Sequence, residues 1–211
     1  MPEALLIFDC DGMLVDSERL SHGTLQQMLS ELGVALPFDV TVERFIGTSL
    51  PVCLARVGEL LGGTLPEDFS SRVAQRTRAT FEAGLRPVAG VEPLLEALCT
   101  PYCVASKGNR AKVESTLGHT GLLPRFAGRI FSAGDVLHPK PAPDLFLHAA
   151  LRMGAAPRHT TVVEDTPTGI AAAKAAGMRA IGFAAMKPRA RLAAAGADAL
   201  ADSMDELAAL L

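Results

Sequence analysis

Five short apolar runs recur along this chain, and they constrain its fold more than any other feature: Ala4-Phe8, Tyr102-Ala105, Arg129-Phe131, Thr160-Val163 and Arg179-Phe183. Each has strand length and is bounded by polar, Gly or Pro residues. Helical stripes lie between most of them. Leu94, Leu95 and Leu98 form one stripe, Leu145, Phe146, Ala149 and Ala150 a second, and Ile170, Ala171, Lys174 and Ala175 a third. Strand then helix, repeated, predicts an α/β protein with a doubly wound parallel sheet.

The segment from Ser17 to Gly84 breaks this rhythm. It offers helical spacing, as in Leu25, Met28, Leu29 and Leu32, but no strand. Leu36-Pro37, Gly62-Gly63 and Leu65-Pro66 divide it into four expected helices. The expected organisation is therefore a core of residues 1–16 and 85–211 with an all-helical insertion at 17–84. The Ala-rich C-terminal tail reads as helix.

Composition removes several function classes. Apolar residues make up 49% and charged residues 20%, as in packed globular proteins. A net charge of -3 with no basic run argues against nucleic acid as a partner. No stretch approaches the roughly 18 apolar residues of a membrane span. The acidic Asp9 and Asp11 come too early for a signal peptide, so a cytoplasmic location is expected. Cys10, Cys53, Cys99 and Cys103 contain no C-x-x-C pair and read as reduced thiols.

Candidate chemistry sits at the ends of the apolar runs. Asp9-Cys10-Asp11-Gly12 follows the first, and the two-residue period sends both carboxylates to one side. The same string also suits a plain turn. Ser106 ends the second run, and Lys107-Gly108-Asn109 leads into a helix, a geometry for either anion binding or N-capping. Lys140 lies between prolines in His138-Pro139-Lys140-Pro141, as a positioned cation or a solvated one. Glu164-Asp165 ends the fourth run before a helix. These acids either favour the helix dipole or, with Asp9, offer the oxygen ligands that Mg²⁺ prefers. All four groups fall at carboxyl ends of expected parallel strands, where open α/β sheets bind ligands.

These four motifs, in this order and spanning nearly the whole chain, resemble the haloacid dehalogenase superfamily. The helical insertion is similar to that superfamily's small cap, with Asp16-Ser17-Glu18 and Pro87-Val88-Ala89-Gly90-Val91 as its hinge flanks. Within the superfamily the chain resembles the β-phosphoglucomutase-like branch. Arg44-Phe45-Ile46-Gly47 and Cys103-Val104-Ala105-Ser106 are similar to stretches in the 6-phosphogluconate phosphatases of that branch.

The resemblance implies a Mg²⁺-dependent phosphatase acting on a small phosphorylated metabolite, a sugar phosphate or phospho-sugar acid such as 6-phosphogluconate. It implies Asp9 as nucleophile forming a phospho-aspartate, Asp11 as general acid then base, Ser106 and Lys140 on the phosphoryl oxygens, and Asp9, Asp11, Glu164 and Asp165 as metal ligands. Glu18, Arg44 and Gly47 are the expected cap contacts to substrate, and Lys107 a second cation for an acidic one. A monomer is the default for this architecture.

Four other functions stand beside this one. A β-phosphoglucomutase-type mutase carries a cap histidine ten residues past the general acid, where this chain has Ser21 with His22 beside it. Dehalogenase chemistry dispenses with the second aspartate, and phosphonatase chemistry needs a cap lysine that residues 17–84 do not contain. A metabolite-binding module on the same fold would tolerate an incomplete motif set, whereas this set is complete.

Overall fold

Strands near the middle of this sheet must be apolar on both faces, because helices cover both sides of a parallel sheet. In a computed structural model, which describes residues 5–46, 48 and 50–211, all of β1 (Leu5–Phe8) and β4 (Thr160–Glu164) is buried. With β2 (Tyr102–Ser106), β3 (Ile130–Ser132), β5 (Arg179–Phe183) and β6 (Ala199–Ala201), they form a six-stranded sheet ordered β3-β2-β1-β4-β5-β6. Every pairing is parallel. The chain winds outward from β1 through β2 to β3, then returns to the other side of β1 to begin again at β4. The topological switch point therefore lies between β1 and β4, whose carboxyl ends border the crevice where such folds place ligands.

The chain divides into two compact units, Met1–Asp16 with Arg86–Leu211, and Ser17–Leu85. The second unit holds α1 (Ser17–Glu31), α2 (Phe38–Phe45), α3 (Leu50–Leu61) and α4 (Phe69–Gly84). Leu25, Met28, Leu29, Phe45, Val57 and Phe69 form its own core. Pro37 stands at the N-cap of α2, and Gly62 follows α3 with φ +63°, a left-handed conformation that favours glycine. Thr24 and Thr80 hydroxyls, 3.1 Å apart, join α1 to α4.

In the first unit, α5 (Val91–Ala97), α6 (Arg110–His119), α7 (Asp144–Arg152), α8 (Pro167–Ala175), α9 (Arg189–Ala194) and α10 (Met204–Leu210) flank the sheet. Leu145, Phe146, Ala149 and Ala150 of α7 and Ile170, Ala172 and Ala173 of α8 pack on Leu5, Ile7, Cys103 and Val162.

Two local expectations differ. The Ala-rich tail contains a strand, β6, because pairing of Ala199–Ala201 with Ile181–Phe183 and burial of Ala201 override the helix preference of alanine. The stripe through Leu98 is cut short, since α5 ends at Ala97 and Leu98 is extended. Among the described residues, no helix is long and apolar enough to cross a membrane.

Candidate active site

β1 delivers Asp9 to the switch point. Phe8 registers with Val163, and the Asp9 N–H continues the ladder to the Val163 carbonyl at 3.0 Å, so Asp9 lies beside Glu164 at the end of β4. The chain then turns back, with Gly12 at φ +77° and its N–H bonded to the Val15 carbonyl at 2.9 Å. The motif is thus both a turn and a carboxylate-bearing strand end.

Lys140 is buried at 3% exposure, far from the solvated state usual for lysine. Its Nζ donates to Asp9 Oδ1 at 2.6 Å, Glu164 Oε1 at 2.6 Å and the Ala105 carbonyl at 2.8 Å, engaging all three of its N–H donors. The Phe146 ring lies 4.7 Å from the ammonium. A contact from Lys140 to a phosphoryl oxygen therefore requires one of these bonds to be exchanged.

Glu164 is held on both oxygens. Lys140 takes Oε1, while the Thr166 N–H and hydroxyl donate to Oε2 at 3.0 and 2.7 Å. The Thr166 hydroxyl also accepts from the Gly169 N–H, capping α8. Gly169 is required by proximity: a Cβ there would stand 1.9 Å from the Glu164 carboxyl carbon. Asp165, 3% exposed, receives Lys187 Nζ on Oδ2 at 2.5 Å, while its Oδ1 is buried with no hydrogen-bond partner among the described residues.

The loop after β2 is organised by Asn109, whose Oδ1 accepts from the Lys112 N–H at 2.8 Å and caps α6. Ser106 is therefore not the N-cap. It is buried, and its hydroxyl accepts from the Gly108 N–H at 3.1 Å. Lys107 is exposed and reaches the Thr168 hydroxyl at 3.4 Å, bridging the loop after β2 to the first turn of α8. Lys112 Nζ donates to Asp11 Oδ2 at 2.7 Å, and Asp11 Oδ1 is buried without a hydrogen-bond partner among the described residues.

Ligand atoms of Asp9, Glu164 and Asp165 lie within 4.8 Å of one another. Three acidic side chains meet the ammoniums of Lys140 and Lys187 in a buried site, and Asp165 Oδ1 has no hydrogen-bond partner among the described residues. An all-oxygen donor set of this kind fits Mg²⁺. Asp11 is not one of this trio; its carboxylate is tied to Lys112.

The electrostatics follow from burial and pairing. Burial pushes the Asp9 carboxyl up to about 7, aided by Glu164 and Asp11 and opposed by Lys140. Burial also pushes Asp165 well above the carboxylate range, against Lys187. Glu164 stays below that range because Lys140 and Thr166 outweigh the upward push of burial. Asp9 and Glu164 likewise outweigh burial to hold Lys140 above the ordinary lysine value.

The expected cap residues belong to the helical unit. Glu18 lies in α1, where its carbonyl oxygen is 2.7 Å from His22 Nδ1. Arg44 is exposed in the last turn of α2. Gly47 lies outside the described residues. Lys112, Lys187 and Gly169 escaped the sequence reading. Lys187 carried one usable signal: it stands four residues past β5, on the ligand-binding side of the sheet.

Comparisons with known proteins place this geometry. The haloacid dehalogenase-like hydrolase model matches residues 6–183. A 6-phosphogluconate phosphatase of Escherichia coli (strain K12) is 32% identical over 181 residues, covering 85% of this chain and 82% of the relative. A fructose-1-phosphate phosphatase of the same organism is 32% identical over 183 residues, covering 83% and 94%. The crystal structure of a haloacid dehalogenase family hydrolase from Deinococcus radiodurans R1, with bound phosphate and sodium, matches with a TM-score of 0.88 at 30% identity, covering 99% of this chain and 95% of that one. A family pattern running from β1 through β5, with strand-end acids and a buried lysine gathered at the switch point, shows that this chain belongs to the haloacid dehalogenase-like hydrolases.

Proposed function

We propose that this hydrolase removes the phosphoryl group from a small phosphorylated metabolite, a sugar phosphate or phospho-sugar acid, through a phospho-aspartate at Asp9. The observation that carries the reading is the buried cluster in which Lys140 ties Asp9 to Glu164 while Asp165 stands beside them. Similarity to the Escherichia coli 6-phosphogluconate and fructose-1-phosphate phosphatases supports the substrate class.

Asp9, Glu164 and Asp165 would hold Mg²⁺, which when bound supplies positive charge against the developing phosphoryl charge. Lys140 engages Asp9 through Oδ1 and orients the carboxylate for attack on phosphorus. As the new O–P bond forms, the ester O–P bond breaks, and the leaving alkoxide takes a proton from Asp11. Lys112 occupies Asp11 Oδ2, so Oδ1 is the atom that gives up this proton. Asp11 Oδ1 then accepts a proton from the water that attacks phosphorus, releasing phosphate and restoring Asp9. The Ser106 hydroxyl, accepting from the Gly108 N–H, retains its own proton for a phosphoryl oxygen. Glu18, Arg44 and Gly47 remain the proposed specificity residues, and Lys107 the proposed contact for a second acidic group.

The test is phosphate release from a panel that includes 6-phosphogluconate, fructose 1-phosphate and hexose 6-phosphates, with Mg²⁺ and with EDTA. Mg²⁺-dependent release that vanishes in Asp9→Asn is expected. Release that persists in Asp9→Asn overturns the nucleophile assignment.

A further inference from the structure

A lysine on a surface loop normally extends its ammonium into water, because burying an unpaired charge is costly. Lys187, in the loop between β5 and α9, instead stays 7% exposed and aims inward at Asp165 Oδ2, 2.5 Å away. The loop is anchored at both ends. The Ala184 N–H bonds to the Ala201 carbonyl of β6 at 2.7 Å, and Pro188 caps α9, whose Leu192 is fully buried. The ammonium is thus delivered from the loop after β5, the strand next to β4, while Lys140 reaches the same cluster from the loop before α7.

We propose that Lys187 is a positioning residue for the metal ligand Asp165, fixing Oδ2 so that the unpartnered Oδ1 is left to the cation. This rests on the reading of Asp9, Glu164 and Asp165 as the metal-holding trio. Each carboxylate there has a protein donor: Lys140 on Asp9 Oδ1, Lys140 and Thr166 on the two oxygens of Glu164, and Lys187 on Asp165 Oδ2. Asp165 is the member with a buried oxygen that has no hydrogen-bond partner among the described residues, so rotation of its carboxylate is what a fixed Oδ2 prevents. Outer partners of metal ligands orient them and raise affinity in this way. A lysine that merely filled the cation's place would compete with the metal, and its removal would tighten binding.

The experiment is calorimetric titration of the full chain with Mg²⁺ alone, for wild type, Lys187→Met and Lys187→Gln. The expected result is binding weakened about 10–100-fold in Lys187→Met. In Lys187→Gln, whose amide still donates to Oδ2, partial recovery is expected. If the methionine variant does not fold, the glutamine variant carries the test, with weakening expected there too. Wild-type affinity or tighter binding in every folded variant overturns the positioning role while leaving the phosphatase reading intact. Absence of Mg²⁺ binding by wild type overturns this inference together with the metal assignment.

Discussion

Asp9 sits where burial and its acidic neighbours push its carboxyl up to about 7. In the unfolded chain the same group titrates near the ordinary aspartate value, so between that value and about 7 the folded state binds the extra proton. This contribution to metal-free stability is present at low pH and is lost as pH rises through about 7. Glu164, held low, and Lys140, held high, stay charged across that window. Asp9→Asn should therefore raise the melting temperature of the metal-free protein relative to wild type by several degrees at pH 8, with the gap shrinking toward pH 5. Thermal melts in EDTA read this directly, and a gap that widens on acidification contradicts it. Removing Lys140 acts oppositely. Lys140→Met leaves Asp9 and Glu164 buried without their shared cation, a loss of about 3–5 kcal/mol in chemical denaturation. Asp9, Lys140, Glu164 and Asp165 could be picked out from sequence because each follows or neighbours a recognisable strand end or rigid turn. Lys112 could not, since nothing local distinguishes it, and Lys187 offered only its place shortly after β5. Their contacts depend on where the first turn of α6 and the β5–α9 loop fall in space.

At the scale of elements, α8 starts where Glu164 needs its partners. Thr166 both caps the helix and bonds the Glu164 carboxylate. Thr166→Ala should destabilise the protein by about 0.5–2 kcal/mol and lower phosphate release. Gly169→Ala places a methyl 1.9 Å from the Glu164 carboxyl carbon, so the carboxylate must move. Overpacking of this kind costs roughly 1–3 kcal/mol. Gly84→Ala, with nothing near its Cβ, should stay within about 0.5 kcal/mol of wild type in the same denaturation series. Equal effects at the two glycines would contradict the close packing of α8 on Glu164. The strands with β-branched and aromatic residues were readable from the chain, and β6 was not, because Ala199-Leu200-Ala201 has neither and becomes a strand through pairing with β5.

For the whole molecule, strand order explains why the acids meet. Residues 155 positions apart in sequence, Asp9 and Glu164, become neighbours because β1 and β4 pair across the switch point. Alternation of strand and helix implied a parallel sheet, but the order of its strands is set by tertiary packing. A cation held by the folded cluster and not by the unfolded chain must stabilise the fold by mass action. Mg²⁺ at about 100 times its dissociation constant should add roughly 2.7 kcal/mol, or about 5–10 °C in melting temperature. Ca²⁺-free Mg²⁺ titrations followed by thermal melts check this, and a melting temperature independent of Mg²⁺ contradicts the metal assignment.

The covalent step is the central claim, and rapid acid quench of the wild-type enzyme turning over a sugar phosphate tests it most directly. Borohydride reduction of the quenched protein followed by peptide mass analysis should find Asp9 converted to homoserine, with substrate and Mg²⁺ both required. Turnover with Asp9 unmodified at every quench time, or modification at another carboxylate, would contradict the account.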